Sequence, residues 1–207
     1  MSIAARVLSS DNGNIFWYDT ERTLHPQRFK WLCEKQSTQE YPIDAMLSRM
    51  KIKECDDLLD LVRGVEALKC VPPVEGPSVV IVDSIAAAAR CTEDITLTKL
   101  GFHSDKADKE LMVIAERQGL LNRLAAIFKE IAFHKGTAVI VSNHVTADCD
   151  SSKNDAFKPA LGLTWSHAIN YRVLISRISE DSSERCVSLV KSSHQPTPRS
   201  VLIKIDP

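Results

Sequence analysis

An α/β fold with a mainly parallel central sheet and an antiparallel C-terminal extension is the class this sequence predicts, on three observations. Apolar runs of strand length recur at Ile15 to Tyr18, Val79 to Val82 and Ala138 to Val141, and their unbroken hydrophobicity suits strands buried on both faces. Segments of helical periodicity lie between them, the pattern of strand–helix–strand units. After about residue 172 the chain changes to strands separated by polar turns with no helix between.

Taken in order, Ile15 to Tyr18 is the first strand, and Asp56 to Leu68 reads as a helix carrying Leu58, Leu61, Val62, Val65 and Leu68 on one face. Val79 to Val82 is the second strand. Leu111 to His134 is the strongest helix, with Leu120, Leu121, Leu124, Ile127, Phe128 and Ile131 on one face. Lys135 in its last turn and Gly136 just beyond form its stop signal. Ala138 to Val141 follows as a strand, and Arg172 to Ser176, Cys186 to Val190 and Val201 to Ile205 form the antiparallel extension. Two stretches, Cys91 to Lys109 and Thr146 to Pro159, read as long irregular loops, the kind that usually carries function.

Composition narrows the function classes. The chain has 207 residues, 44% hydrophobic and 26% charged, the profile of a globular domain rather than a fibrous or disordered chain. Lysine and arginine number 26 against 27 acids, so any nucleic-acid contact has to come from a local patch. No apolar run reaches the roughly 20 residues that span a bilayer, and MSIAARVLSSDNG lacks the pattern of a secretory signal, so the expectation is no membrane partner and a cytosolic or nuclear protein. The six cysteines are scattered and form no C-x-x-C pair, as reduced intracellular thiols are. His144, Cys149 and His167 match no zinc-ligand spacing, so no metal site is expected from them. Ser84 has no G-x-S-x-G elbow that would make it a hydrolase nucleophile.

Three strand ends carry polar residues to what would be one sheet edge. SVVIVDS, residues 78 to 84, delivers Asp83 and Ser84. In a parallel sheet the carboxyl edge faces the ligand crevice, and a carboxylate there can hold the magnesium of a nucleotide through water, the form of a Walker B strand. NIFWYDTE, residues 14 to 21, places Glu21 beyond its strand, where a glutamate could orient an attacking water. VSNH, residues 141 to 144, brings Asn143 and His144 to the same edge.

These blocks resemble the RecA family, specifically the eukaryotic strand-exchange recombinases and their paralogues. The resemblance is carried by GNIFWYDTERTLHPQRF, SVVIVDSIAAAAR, LNRLAAIFKEIAFHKGTAVIVSNHVT and KPALGLTWSHAINYRVLISR, and it runs from about residue 13 to the C terminus. It implies a single truncated RecA-like ATPase core domain over residues 1–207. By the same resemblance Glu21 stands at the catalytic glutamate, Asp83 at the Walker B aspartate, and His144 where active recombinases carry a glutamine that senses the γ-phosphate. KSSHQPTPRS, residues 191 to 200, is similar to the family cap over a neighbouring subunit's nucleotide, which makes Lys191 and Pro196 candidates for a cap acting in trans. The two long stretches correspond in order to the family's DNA-facing loops, with Lys153, Phe157 and Lys158 as candidate contacts. Their charge is unfavourable for tight DNA binding: Thr92 to Glu110 holds five acids against three lysines.

No G-x-x-x-x-G-K-[ST] occurs in the 207 residues. The resemblance therefore implies a RecA-like core lacking the N-terminal phosphate-loop segment, with no nucleotide bound autonomously and Glu21 vestigial. ATP and magnesium would be shared with a partner subunit. The expectation is a nuclear, noncatalytic recombinase paralogue that pairs with a Walker A-bearing paralogue and binds, remodels or stabilises recombinase filaments, touching single-stranded DNA indirectly or weakly. One complete and one shortened member, as in a nematode-type paralogue complex, is the pairing this implies. Two alternatives stay open: an ATP-dependent paralogue whose Walker A lies in a missing N-terminal segment, and an adaptor that contacts neither ATP nor DNA.

Overall fold

Four strands form a parallel sheet in the order β2-β1-β3-β4 in a computed structural model that describes residues 1–38, 41–72, 75–100, 106–147, 157–179 and 181–205. The chain divides into two compact units, Met1–Gly162 and Leu163–Pro207. In the first unit α1 (Ser2–Leu8) leads to β1 (Asn14–Asp19), then α2 (Pro26–Glu34), α3 (Ile43–Ser48) and β2 (Met50–Glu54). There follow α4 (Leu58–Ala67), β3 (Ser78–Asp83), α5 (Ile85–Leu100), α6 (Lys106–Lys135) and β4 (Ala138–Val141). A short antiparallel pair, β5 (Val145–Ala147) and β6 (Phe157–Pro159), closes this unit. All three pairings of the main sheet are parallel, so each connection needs a crossover, which the helices supply.

Period-two alternation divides the sheet into two buried faces. Ile15 and Trp17 of β1 and Val79 and Ile81 of β3 join Ala4, Leu8, Phe29 and Met46 in one core under α1 to α3. The opposite face meets the other helices: Phe16 and Val80 line a small cavity with Leu68 and Ile131, and the Tyr18 hydroxyl donates to the Gly64 carbonyl of α4 at 2.8 Å. The interval between Val7 and β1 is tight. A Cβ on Gly13 would sit 1.9 Å from the Val7 carbonyl oxygen, so only glycine fits there.

Local chemistry explains the helix ends. Asp57 caps α4 by accepting from the Asp60 N–H at 2.7 Å, and Gly136, at φ +60°, terminates α6. Both helices sit where the periodicity predicts. The expected irregular stretch from Cys91 to Lys109 is corrected: α5 continues to Leu100 and α6 starts at Lys106. The run Ala86 to Ala89 is buried and strongly helix-forming, and a helix once nucleated extends cheaply through the polar residues that follow. The stretch from Thr146 to Pro159 holds the ends of β5 and β6, and residues 148–156 lie outside the described residues.

The second unit contains the rest of α7 (Gly162–Ala168) and the strands β7 (Arg172–Arg177), β8 (Glu184–Lys191) and β9 (Arg199–Lys204). These pair antiparallel as a three-stranded sheet of their own, order β7-β8-β9. Trp165 is buried. No helix of the described residues is long and apolar enough to cross a membrane.

Candidate functional site

The register of β1 on β3 sets Asp19 directly beside Asp83 at the carboxyl edge, and β4 follows β3 as its neighbour. Three chain segments therefore leave the sheet side by side. Asp19 is buried and turns its carboxylate back on its own loop: Oδ1 accepts from the N–H of Glu21 at 3.2 Å and of Thr23 at 3.3 Å, and Oδ2 from that of Leu24 at 3.1 Å. It thereby fixes the backbone that carries Glu21.

Ser84 follows β3 and starts α5. Its Oγ accepts from the Ala87 N–H at 3.4 Å, an N-cap, and donates to Glu21 Oε1. Thr20 Oγ1 donates to the Ser84 carbonyl at 2.6 Å, and Thr20 N–H to the Asp83 carbonyl at 2.9 Å. The Asp83–Ser84 peptide is cis. His144 Nε2 lies 2.9 Å from the same Glu21 Oε1 and 3.2 Å from Ser84 Oγ, while Arg90 of α5 lies 3.0 Å from His144 Nδ1. The Ser84 hydrogen bond is the main reason the Glu21 carboxyl is held below the usual carboxylate range; burial opposes it, and the hydrogen bond from His144 and the charge of Arg90 add to the lowering. The lowering makes this carboxylate a weaker proton acceptor than an unperturbed one.

Asp83 is half-buried, and its Oδ1 accepts from Ser142 Oγ at 2.6 Å. Among the described residues no group of three or more metal-ligating side chains exists. Magnesium keeps most of its waters and takes one or two carboxylates alongside phosphate oxygens; at this edge Asp83 is the carboxylate that could serve as such a ligand. Asn143 is committed elsewhere: its Nδ2 donates to the Ala160 carbonyl at 3.0 Å and its Oδ1 accepts from the His144 N–H at 2.9 Å. It fixes the backbone of His144 against the segment after β6.

Beside this edge lies a cleft lined by Ala89, Arg90, Arg117, Thr146, Lys158 and Leu161 among others, which brings three cations together among the described residues. Arg90 and Arg117 are functional candidates the sequence reading missed; each is one of two or more cations along its helix, and only the fold brings them to Lys158. Phe157 opens β6, and Lys153 lies outside the described residues. In the second unit, Lys191 Nζ donates to the Ser166 carbonyl at 3.0 Å and so caps the end of α7. Pro196 sits in the exposed segment between β8 and β9.

The Rad51 family model matches residues 4–203. The chain belongs to the Rad51 family. Within it, this Rad51-family chain is 29% identical over 218 residues to DNA repair protein RAD51 homolog 4 of Mus musculus, covering 99% of this chain and 59% of that protein. It is 25% identical over 220 residues to DNA repair protein RAD51 homolog 2 of Mus musculus, covering 93% of this chain and 59% of the relative. The chain thus spans less than two thirds of the length of these relatives. Its fold is similar to that in the crystal structure of the RadB recombinase, with a TM-score of 0.70 at 20% identity, over 99% of this chain and 81% of that one. The RecA-like fold expected from the sequence is the one found.

Proposed function

We propose that this chain is a noncatalytic recombinase-paralogue subunit of homologous-recombination repair, acting in the nucleus as half of a pair whose other member bears a Walker A loop. The relatives named above are DNA repair proteins, which supports the process. The observation that carries the noncatalytic role is the composition of the strand-end edge. Glu21, Ser84 and His144 meet there in one hydrogen-bonded network, with Asp83 beside it. Glu21 is tied by Oε1 into a hydrogen-bonded network that joins the ends of β1, β3 and β4, so its role here is to brace the edge. ATP and magnesium belong to the pair, with Asp83 on the magnesium side and Lys191 and Pro196 as the cap toward a neighbour's nucleotide. For Lys191 this requires the ammonium to exchange the Ser166 carbonyl for a phosphate.

Single-stranded DNA enters this reading through the cationic cleft. Arg90, Arg117 and Lys158 line it, and with roughly 0.7 counterions released per phosphate on a single strand they set an upper bound of about 2 on the magnitude of the log–log salt slope. That is weak binding, fitting a subunit that stabilises a recombinase filament rather than forming one.

The test is co-expression with a Walker A-bearing paralogue, followed by sizing and by oligonucleotide titration of the recovered complex at several salt concentrations. A stable complex is expected, with Lys158→Ala and Arg117→Ala each lowering the contribution of this chain to the salt slope by about 0.7. A chain that stays monomeric in the presence of every such paralogue contradicts the pairing; an unchanged slope in both variants contradicts the DNA contact.

A further inference from the structure

The hydrogen bonds around His144 assign a proton. A guanidinium donates and never accepts, so His144 Nδ1, 3.0 Å from Arg90, is an acceptor and carries no hydrogen. The single N–H of the neutral imidazole is then on Nε2, where it faces Glu21 Oε1 at 2.9 Å, an ionised oxygen that only accepts. The opposite tautomer fails at both ends: Nδ1–H would point at an arginine N–H, and the lone pair of Nε2 would point at a carboxylate. Ser84 Oγ, which spends its hydrogen on Glu21, can accept a weaker share of the Nε2–H at 3.2 Å. Donors and acceptors thus run in one direction, from Arg90 through His144 to Glu21, with Ser84 arriving from the other side.

We propose that Arg90 is a positioning residue that holds His144 as the Nε2–H tautomer and, through it, anchors Glu21 by Oε1, leaving Oε2 as the oxygen the network does not use. The tautomer of a histidine is set by the bond its other nitrogen makes. Here that bond comes from a side chain six positions beyond Ser84 on the exposed side of α5, where it also lines the cationic cleft. The network needs no nucleotide, so the assignment stands or falls separately from the proposed function.

Long-range proton–nitrogen correlation spectra of the histidine side chains test it, with His144 among the six histidines identified by its loss in His144→Gln. The wild-type chain at neutral pH should show His144 as one tautomer, protonated at Nε2. Arg90→Leu should shift both ring nitrogens and populate the second tautomer, at a melting temperature close to that of the wild type because Arg90 is exposed; Arg90→Lys, which keeps a donor, should return the signals toward wild type. A wild-type His144 protonated at Nδ1, or at both nitrogens, overturns the assignment without any variant. Unchanged His144 nitrogens in Arg90→Leu overturn the role given to Arg90.

Discussion

Asp19→Ala should lower the melting temperature by about 10 °C, the larger of two stability losses expected from single side chains that organise this chain. The Asp19 carboxylate is 5% exposed and is the acceptor for three backbone N–H groups, those of Glu21, Thr23 and Leu24. Its removal orphans all three at once. An unsatisfied buried donor costs about 1–3 kcal/mol, and since residues 21 to 23 are exposed and water can reach part of this loop, the sum is about 3 kcal/mol. For a chain of this size each kcal/mol moves the midpoint by roughly 2–4 °C. Asp19→Asn, which keeps one oxygen acceptor, should lose about a third as much. Thermal melts of the three proteins check this; equal midpoints for Asp19→Ala and the wild type would mean that the carboxylate does not hold the Glu21 loop.

Arg49→Ala should cost about 2–3 kcal/mol, because hydrogen bonds to a charged group contribute more than neutral ones. The guanidinium of Arg49 reaches the carbonyl of Leu8 at 2.5 Å, of Gly13 at 3.0 Å and of Ser10 at 3.1 Å. Those oxygens lie at and just beyond the end of α1, where a helix leaves its last carbonyls without internal partners. One side chain at the start of β2 thus seals the turn between α1 and β1. Arg49→Lys should recover only part of the loss, since an ammonium cannot spread across three oxygens as a planar fork does. Denaturant melts read the difference: a midpoint for Arg49→Lys between those of Arg49→Ala and the wild type is expected, and one for Arg49→Ala equal to the wild type would contradict the role given to the guanidinium.

The parts of the fold legible in the sequence are those whose burial is extreme. Val79 to Val82 and Ile15 to Tyr18 carry unbroken apolar runs because sheet faces on both sides of β1 and β3 are covered by helices. The strand β2 was not legible: MKIKE sits at the sheet edge, pairs on one side only, and carries the lysines typical of exposed edges. The end of α5 was hidden because its polar residues continue a helix nucleated by the alanine run, and periodicity gives no sign of that. At the site, the residues delivered directly by strand ends were readable, and the structure brings Glu21, Ser84 and His144 into one network beside Asp83. Residues whose roles depend on where a neighbouring element returns were not. Arg90 reaches His144 across 54 positions of sequence, and Asn143 finds the Ala160 carbonyl rather than the crevice. The signal that could have marked Arg90 is a cation after four buried alanines, one helical turn and a half past the N-cap serine.

The central claim is that nucleotide turnover belongs to the partner and that the strand-end network of this chain braces a subunit rather than driving hydrolysis. ATP hydrolysis by the purified pair tests it most directly, measured for the wild type, for Glu21→Gln in this chain, and for a Walker A lysine variant of the partner. The account predicts no turnover by this chain alone, loss of turnover in the partner variant, and a change of less than twofold in Glu21→Gln. Turnover by this chain alone, or a tenfold or greater loss in Glu21→Gln with the pair still assembled, would contradict it and make Glu21 catalytic.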